Sequence, residues 1–177
     1  MPPAIALFGG SFDPPHLGHL RLARAALDSA GIGAVWLLPI TAHPAGKKLA
    51  PFPHRLAMCR LMARDLGPAA SVLEADREAG ARGRSLPLVD YLAARHPGWQ
   101  FRLLLGGDAA ALAPRWPGWA RIAALAPPLV FARFDADMPL SSTESRRRVA
   151  AGESTESLLQ ADVRAHLDLH ALYRRKA

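Results

Sequence analysis

Cysteine is nearly absent from this chain. Cys59 is the single cysteine among 177 residues, which excludes an intramolecular disulfide, and no group of cysteines and histidines carries the spacing of a zinc site. Long apolar runs are missing too. Nothing approaches the ~18 residues that a membrane span needs, and the N-terminus has neither the basic region nor the apolar stretch of a signal peptide. A soluble, cytoplasmic protein is expected. Acidic residues are few, 15 against 22 lysines and arginines, for a net charge of +7. That balance suits an anionic partner. The arginines are scattered, with runs only at Arg146-Arg147-Arg148 and Arg174-Arg175-Lys176, and no basic stripe is interleaved with aromatics. Much of this charge reads as an Arg-rich, Ala-rich composition with solvated helix faces, so nucleic acid is not the expected partner, and a nucleoside triphosphate is the other anionic candidate. Low-complexity tracts and internal repeats are also missing, so the length reads as one domain over residues 1–177.

What is present alternates. Apolar runs at residues 4–8, 34–38, 71–74, 101–105 and 129–132 read as strands. Between them lies helical periodicity. Leu17, Leu20, Ala23, Leu27 and Ala30 share one face of a first helix. Further helices are expected over about 54–66, 85–95 (with Ser85 as cap and Pro87 in the first turn), 108–113, 117–125, 143–151 and 156–170. Residues 40–53, with Pro44, Gly46, Lys47, Lys48 and Pro51, read as an irregular loop. Near-continuous apolar strands separated by helices imply an α/β fold, a Rossmann-like doubly wound parallel sheet covered on both faces. Such sheets bind ligands beyond the carboxyl ends of their strands, where the strand order switches.

The motifs all fall at such ends. After the first strand comes Gly9-Gly10-Ser11-Phe12-Asp13-Pro14-Pro15-His16-Leu17-Gly18-His19. Glycines let backbone approach a polyphosphate, and a helix start offers unpaired N–H groups and partial positive charge. His16 and His19, three apart, project to the same side. Leu140-Ser141-Ser142-Thr143-Glu144-Ser145-Arg146 forms a second hydroxyl-rich helix start, with Arg146 one turn in to fork onto phosphate oxygens. A lysine-bearing loop, residues 39–49, precedes His54-Arg55-Leu56-Ala57-Met58, and Gly106-Gly107-Asp108 closes the fourth strand, with Trp116 and Trp119 beyond it.

These segments resemble the nicotinate- and nicotinamide-mononucleotide adenylyltransferases of the H-x-G-H nucleotidyltransferase superfamily. The likeness spans about residues 4–173 and is strongest at the two helix starts. It implies adenylyl transfer from ATP to the phosphate of a pyridine mononucleotide, with pyrophosphate leaving, in NAD biosynthesis. It also implies Mg²⁺ bridging phosphate oxygens, with no residue assigned as a metal ligand. By resemblance, Gly9, Gly10, Ser11, Phe12 and Gly18 line the nucleotide with His16 and His19, and Ser141, Ser142 and Thr143 surround the ATP phosphates with Arg146. Lys47, chosen over Lys48, meets the mononucleotide phosphate or pyrophosphate. Gly106 and Asp108 approach the ribose, Trp116 stacks on the pyridine ring, whose cationic face favours an aromatic partner, and Arg133 closes the last strand. Asp13 is expected to shape its turn.

The chain departs from the family pattern in several places. Leu140 stands for an isoleucine, and Gln160 for a common proline. Ser85-Leu86-Pro87 replaces Ser-Tyr-Thr, removing a hydroxyl and an N–H from the pyridine strip. Arg133-Phe134-Asp135 replaces Arg-Pro-Gly, and only six residues separate Arg133 from Leu140, which trims the adenine edge. The alternatives are a superfamily transferase using CTP or another phosphate acceptor, and a nucleotide-binding protein without turnover.

Overall fold

The computed structural model describes residues 3–131 and 140–174. Arg133 lies outside the described residues, as does Ala132, the expected end of the last strand. Five strands, β1 (Ala4–Gly10), β2 (Ile32–Pro39), β3 (Ala70–Val72), β4 (Phe101–Gly106) and β5 (Pro128–Phe131), form one wholly parallel sheet in the order β3-β2-β1-β4-β5. The described helices are α1 (Leu17–Leu27), α2 (Phe52–Leu66), α3 (Ala75–Glu78), α4 (Ser85–Arg95), α5 (Gly107–Leu112), α6 (Trp119–Leu125), α7 (Ser142–Ala151) and α8 (Ala161–Leu169). None is long and apolar enough to cross a membrane.

The strand period of two sends alternate residues to opposite faces. Leu7, Trp36, Leu38, Leu103 and Leu105 pack on Leu88, Val89 and Leu92 of α4 and Ile122 of α6. Ala6, Phe8, Val35, Leu37 and Leu104 pack on Leu22, Ala23 and Ala26 of α1 and on Cys59, Met62 and Leu66 of α2. Burial on both faces is why the strands read as unbroken apolar runs. A third cluster joins Met58 of α2, Leu140, Leu158, Leu159, and Val163 and Leu167 of α8, so the C-terminal segment is docked on α2. The chain order reverses between β1 and β4, and the carboxyl ends of these two strands, at Gly10 and Gly106, flank the switch point.

Several expectations are corrected. The buried stripe of α1 is Leu22, Ala23 and Ala26, with Leu20 and Leu27 at its margins, and the helix ends before the exposed Ala30. Arg84, not Ser85, takes the N-cap position of α4 and makes no side-chain cap bond, and Ser85 is the first helical residue. The single-turn α3 was not anticipated. The last helix begins at Ala161 rather than 156, because the N–H groups of Leu158 and Leu159 both donate to the Thr155 carbonyl in a turn that buries both leucines. Finally, α2 and α8 bring His54, His166 and His170 together, a metal-capable cluster that sequence spacing did not reveal.

Candidate active site

The chain leaves β1 through Gly9 and Gly10 and turns at Phe12, whose φ of +46° lies in the left-handed region. The turn inserts the Phe12 ring between Phe8 (centroids 5.4 Å apart) and His19 (4.9 Å). A Cβ on Gly10 would sit 3.3 Å from that ring, whereas one on Gly9 would meet nothing within 4 Å. Open space therefore lies over the end of β1. Arg55, 1% exposed, braces the floor. Its Nε donates to the Ala50 carbonyl (2.9 Å), and one terminal nitrogen donates to the carbonyls of Ser11 and Ile40 (both 2.8 Å). One cation thus ties together the exits of β1 and β2 and the loop before α2. Burial lowers its pKa, opposed by the nearby Asp13 carboxylate.

His16 caps α1, and the two histidines form a reciprocal box. The Gly18 N–H donates to Nδ1 of His16 and the His16 N–H donates to Nδ1 of His19, both at 3.1 Å. The rings lie 3.8 Å apart, centroid to centroid. With Nδ1 accepting, the proton of each neutral ring belongs on Nε2, so each ring is a donor there. Burial, and then the His16 charge, push the His19 pKa well below 6.5, which keeps this ring neutral at physiological pH. Gly18 is required by packing: a Cβ there would come within 3.0 Å of the His16 ring and 3.4 Å of Leu140 Cβ. The expectation of unpaired backbone N–H groups at this helix start is corrected. Leu17 N–H donates to the Leu158 carbonyl (2.8 Å), and Gly18 N–H is taken by His16. What α1 presents is a pair of imidazoles, not a row of amides.

The start of α7 is stitched to the same turn. Ser142 Oγ donates to the Pro14 carbonyl (2.8 Å), and Arg146 donates to the Asp13 carbonyl (2.5 Å) and to Thr143 Oγ1 (3.3 Å). Ser141 caps the helix by accepting from the Glu144 N–H at 3.1 Å. Asp13, 3% exposed, is fully engaged. Its Oδ1 accepts from Ala50 N–H (3.1 Å) and from the Tyr173 hydroxyl (2.6 Å), and its Oδ2 lies 3.8 Å from Arg146. It shapes the turn, as its Asp-Pro sequence implies.

The loop after β2 is anchored by Asp76, which is wholly buried. One carboxylate oxygen accepts from the N–H (2.8 Å) and hydroxyl (2.6 Å) of Thr41, and the other from the Gly83 N–H (2.8 Å). Gly83, at φ +80°, has no room for a side chain, since a Cβ would lie 2.3 Å from the Ala42 carbonyl oxygen. Asp76→Ala strands three polar groups at about 1–3 kcal/mol each. Allowing for relaxation, it should lower Tm by about 6–12 °C, measurable by calorimetry. Beside this loop a cleft of about 430 Å³ is lined by Thr41, His43, Lys47, Phe52, Arg55 and Arg82. A larger cleft, about 690 Å³ between the end of α7 and α8, holds none of the motif residues. Its Arg164 and Arg174 are paired with Glu156 and Asp168.

Residues 7–148 match the family model described as cytidylyltransferase-like. A protein of Anaeromyxobacter sp. (strain K) named "probable nicotinate-nucleotide adenylyltransferase" is 43% identical, the alignment covering 96% of each chain. The chain belongs to the nicotinate-nucleotide adenylyltransferase family. A relative of the same name in Myxococcus xanthus is 34% identical over 96% of this chain and 94% of its own. The fold matches a Vibrio parahaemolyticus crystal structure assigned to the same enzyme, with TM-score 0.79, 18% identity, and 98% and 97% of the two chains covered. It also matches the Plasmodium falciparum nicotinic acid mononucleotide adenylyltransferase complexed with NaAD, with TM-score 0.73, 16% identity and 97% of each chain covered.

This nucleotidyltransferase therefore gathers some of the expected residues and leaves others apart. Gly9, Gly10, Ser11, Phe12, His16, Gly18, His19, Ser142, Thr143 and Arg146 surround one turn. Gly106 and Asp108 start α5 at the neighbouring strand end. Lys47 is exposed on its loop, near enough to His43 to help burial lower that ring's pKa, and in the cleft rather than against the histidines. Trp116 is half-buried against the β4–α4 core, edge-on to Trp119 at 6.2 Å. Leu86 reaches the same turn, since a Cβ on Gly118 would lie 2.5 Å from its methyl. The departing strip at Ser85-Leu86-Pro87 thus abuts the tryptophans. Arg82, at φ +53°, shares the cleft with Lys47 and was not singled out in the sequence.

Proposed function

We propose that this chain, as one unit over residues 1–177, transfers AMP from ATP to the phosphate of nicotinate mononucleotide, giving the dinucleotide and pyrophosphate in NAD biosynthesis. Family membership supports the reaction. The observation that carries it in this molecule is the seam between α1 and α7, where two imidazole donors, a guanidinium and a Ser-Ser-Thr helix start surround one turn at the switch point. That is a site for a chain of phosphates.

The mononucleotide phosphate is already an anion, so its attack on the α-phosphorus of ATP needs no general base. The protein's work is positioning and charge stabilisation. Neutral His19 and its partner His16 donate from Nε2 to the transferring phosphoryl, and Arg146 forks onto the departing pyrophosphate with Ser141, Ser142 and Thr143 around it. Lys47 meets the mononucleotide phosphate from the cleft side, beside Arg82. Mg²⁺, held by the triphosphate and water with no protein ligand assigned, would supply charge neutralisation when bound. The engaged carboxylate of Asp13 fits this reading, because Mg²⁺ commonly keeps water and phosphate ligands.

The pyridine ring is assigned to the Trp116 face, beside Leu86. A nicotinate carboxylate wants hydroxyl and N–H donors, and Leu86 and Pro87 offer neither. Discrimination between nicotinate and nicotinamide mononucleotides is therefore expected to stay below about a thousandfold in kcat/KM, or on the order of 4 kcal/mol. Pyrophosphate release from four nucleoside triphosphates against both acceptors tests the whole reading. ATP with nicotinate mononucleotide should be the best pair. A CTP preference, or turnover only with another acceptor, would replace this function.

A further inference from the structure

Three histidines stand together where adenylyl transfer does not use them. His54 is in the first turn of α2, His166 in the last turn of α8, and His170 caps that helix. Nδ1 of His54 and Nε2 of His166 are 3.3 Å apart, and one ligand nitrogen from each of the three rings lies within 4.8 Å of the others. The ring centroids are 5.4, 4.6 and 4.5 Å apart. His54 and His166 are half-buried and His170 is exposed.

We propose that His54, His166 and His170 form a binding site for a divalent transition metal of the zinc class, clamping the C-terminal turn to the start of α2. Zn–N bonds of 2.0–2.1 Å in a tetrahedron set ligand nitrogens about 3.3 Å apart. The first pair already has that spacing. His170 closes the third corner by a side-chain shift of about 1.5 Å, open to it as an exposed residue at a helix end. His166 and His170, four apart, project from one side of the end of α8. Three imidazoles with no carboxylate suit Zn²⁺, Co²⁺ or Ni²⁺ and not Mg²⁺ or Ca²⁺. Water takes the fourth position.

The site's placement gives it a structural consequence. Three residues beyond His170, the Tyr173 hydroxyl donates to Asp13, and one residue after His54, Arg55 braces Ser11, Ile40 and Ala50. A metal here fixes both the C-terminal turn and the floor of the nucleotide site.

The test uses the full untagged chain, stripped with a chelator and titrated with Co²⁺ or Zn²⁺ alone, and needs no assay of turnover. One Co²⁺ should bind per chain with the visible bands of nitrogen-rich low coordination, and Zn²⁺ should bleach them. At a hundredfold excess over Kd, Zn²⁺ should raise Tm by about 5 °C. His170→Gln, and separately His166→Asn, should weaken Co²⁺ at least about tenfold. Circular dichroism of the metal-free variants checks that each is folded. His16→Ala/His19→Ala should keep the bands, since that pair belongs to the other site. Absent bands, more than one metal per chain, bands unchanged in a folded His170→Gln or His166→Asn, or bands lost in the His16/His19 variant would each overturn the proposal.

Discussion

His19→Ala is expected to lower kcat by about two to three decades with the chain still folded. The ring is neutral because burial depresses its pKa, and its Nδ1 is held by the His16 N–H, so Nε2 carries the proton and can donate to a developing phosphoryl charge. Alanine removes that donor, at a cost of about 2.7–4 kcal/mol in the barrier. It also removes a capping bond worth about 1 kcal/mol, so Tm should fall by about 2–4 °C. His19→Asn separates the two effects. Its side-chain oxygen can accept from the His16 N–H and restore the cap, yet no imidazole donor returns. A variant with recovered Tm and low kcat supports the assignment, and an unchanged kcat in either variant removes it. Acid should also act through this ring. Its folded-state pKa lies below the unfolded value of 6.5, so between the two the unfolded chain binds more protons. The stability that this ring contributes is full above pH 6.5 and is lost as pH falls through the folded pKa, and His19→Ala should flatten that part of the slope of Tm against pH.

The parts of this site legible in the sequence are those with local signals. Glycines ending an apolar run, two histidines three apart and a Ser-Ser-Thr cap each carry their geometry within a turn or two, and all three lie where they were expected. What the sequence left hidden depends on long-range partners. Leu158 takes the Leu17 N–H, so the helix start that looked open is closed by a residue from the other end of the chain. Asp76 is one carboxylate among several in a polar stretch until Thr41 and Gly83 meet it. Arg55 had only its neighbours in sequence to mark it, yet its three carbonyl partners come from the turn after β1 and from both ends of the β2–α2 loop. The third metal-capable histidine is 112 residues from His166, beyond any spacing rule. Lys47 lies on the anticipated loop, but nothing local to a Pro/Gly-rich loop fixes where an exposed lysine points.

Arg146→Lys is expected to lower kcat/KM for ATP by about a hundredfold to a thousandfold, although the positive charge is kept. A guanidinium has five N–H donors in one plane. Here it holds the α1–α7 seam through the Asp13 carbonyl and also donates to Thr143 Oγ1 within α7, and its side chain is 36% exposed. Those two bonds use two of the five N–H groups, which leaves donors for phosphate oxygens in the proposed function. An ammonium is a point charge on a flexible stem and cannot hold the seam and fork onto the ligand together. The loss should appear with ATP as the varied substrate, and the KM for the mononucleotide should change little. Arg147 supplies the control: it is paired with Glu144 and Glu153 at 2.8 Å on the outer side of α7, so Arg147→Lys should leave turnover within about twofold of the parent. If Arg146→Lys turns over normally while Tm drops by several degrees, Arg146 is a clamp between two helices and the pyrophosphate is held by other groups. A large kinetic loss with Tm shifted by no more than about 4 °C marks Arg146 as a residue that works on the triphosphate itself.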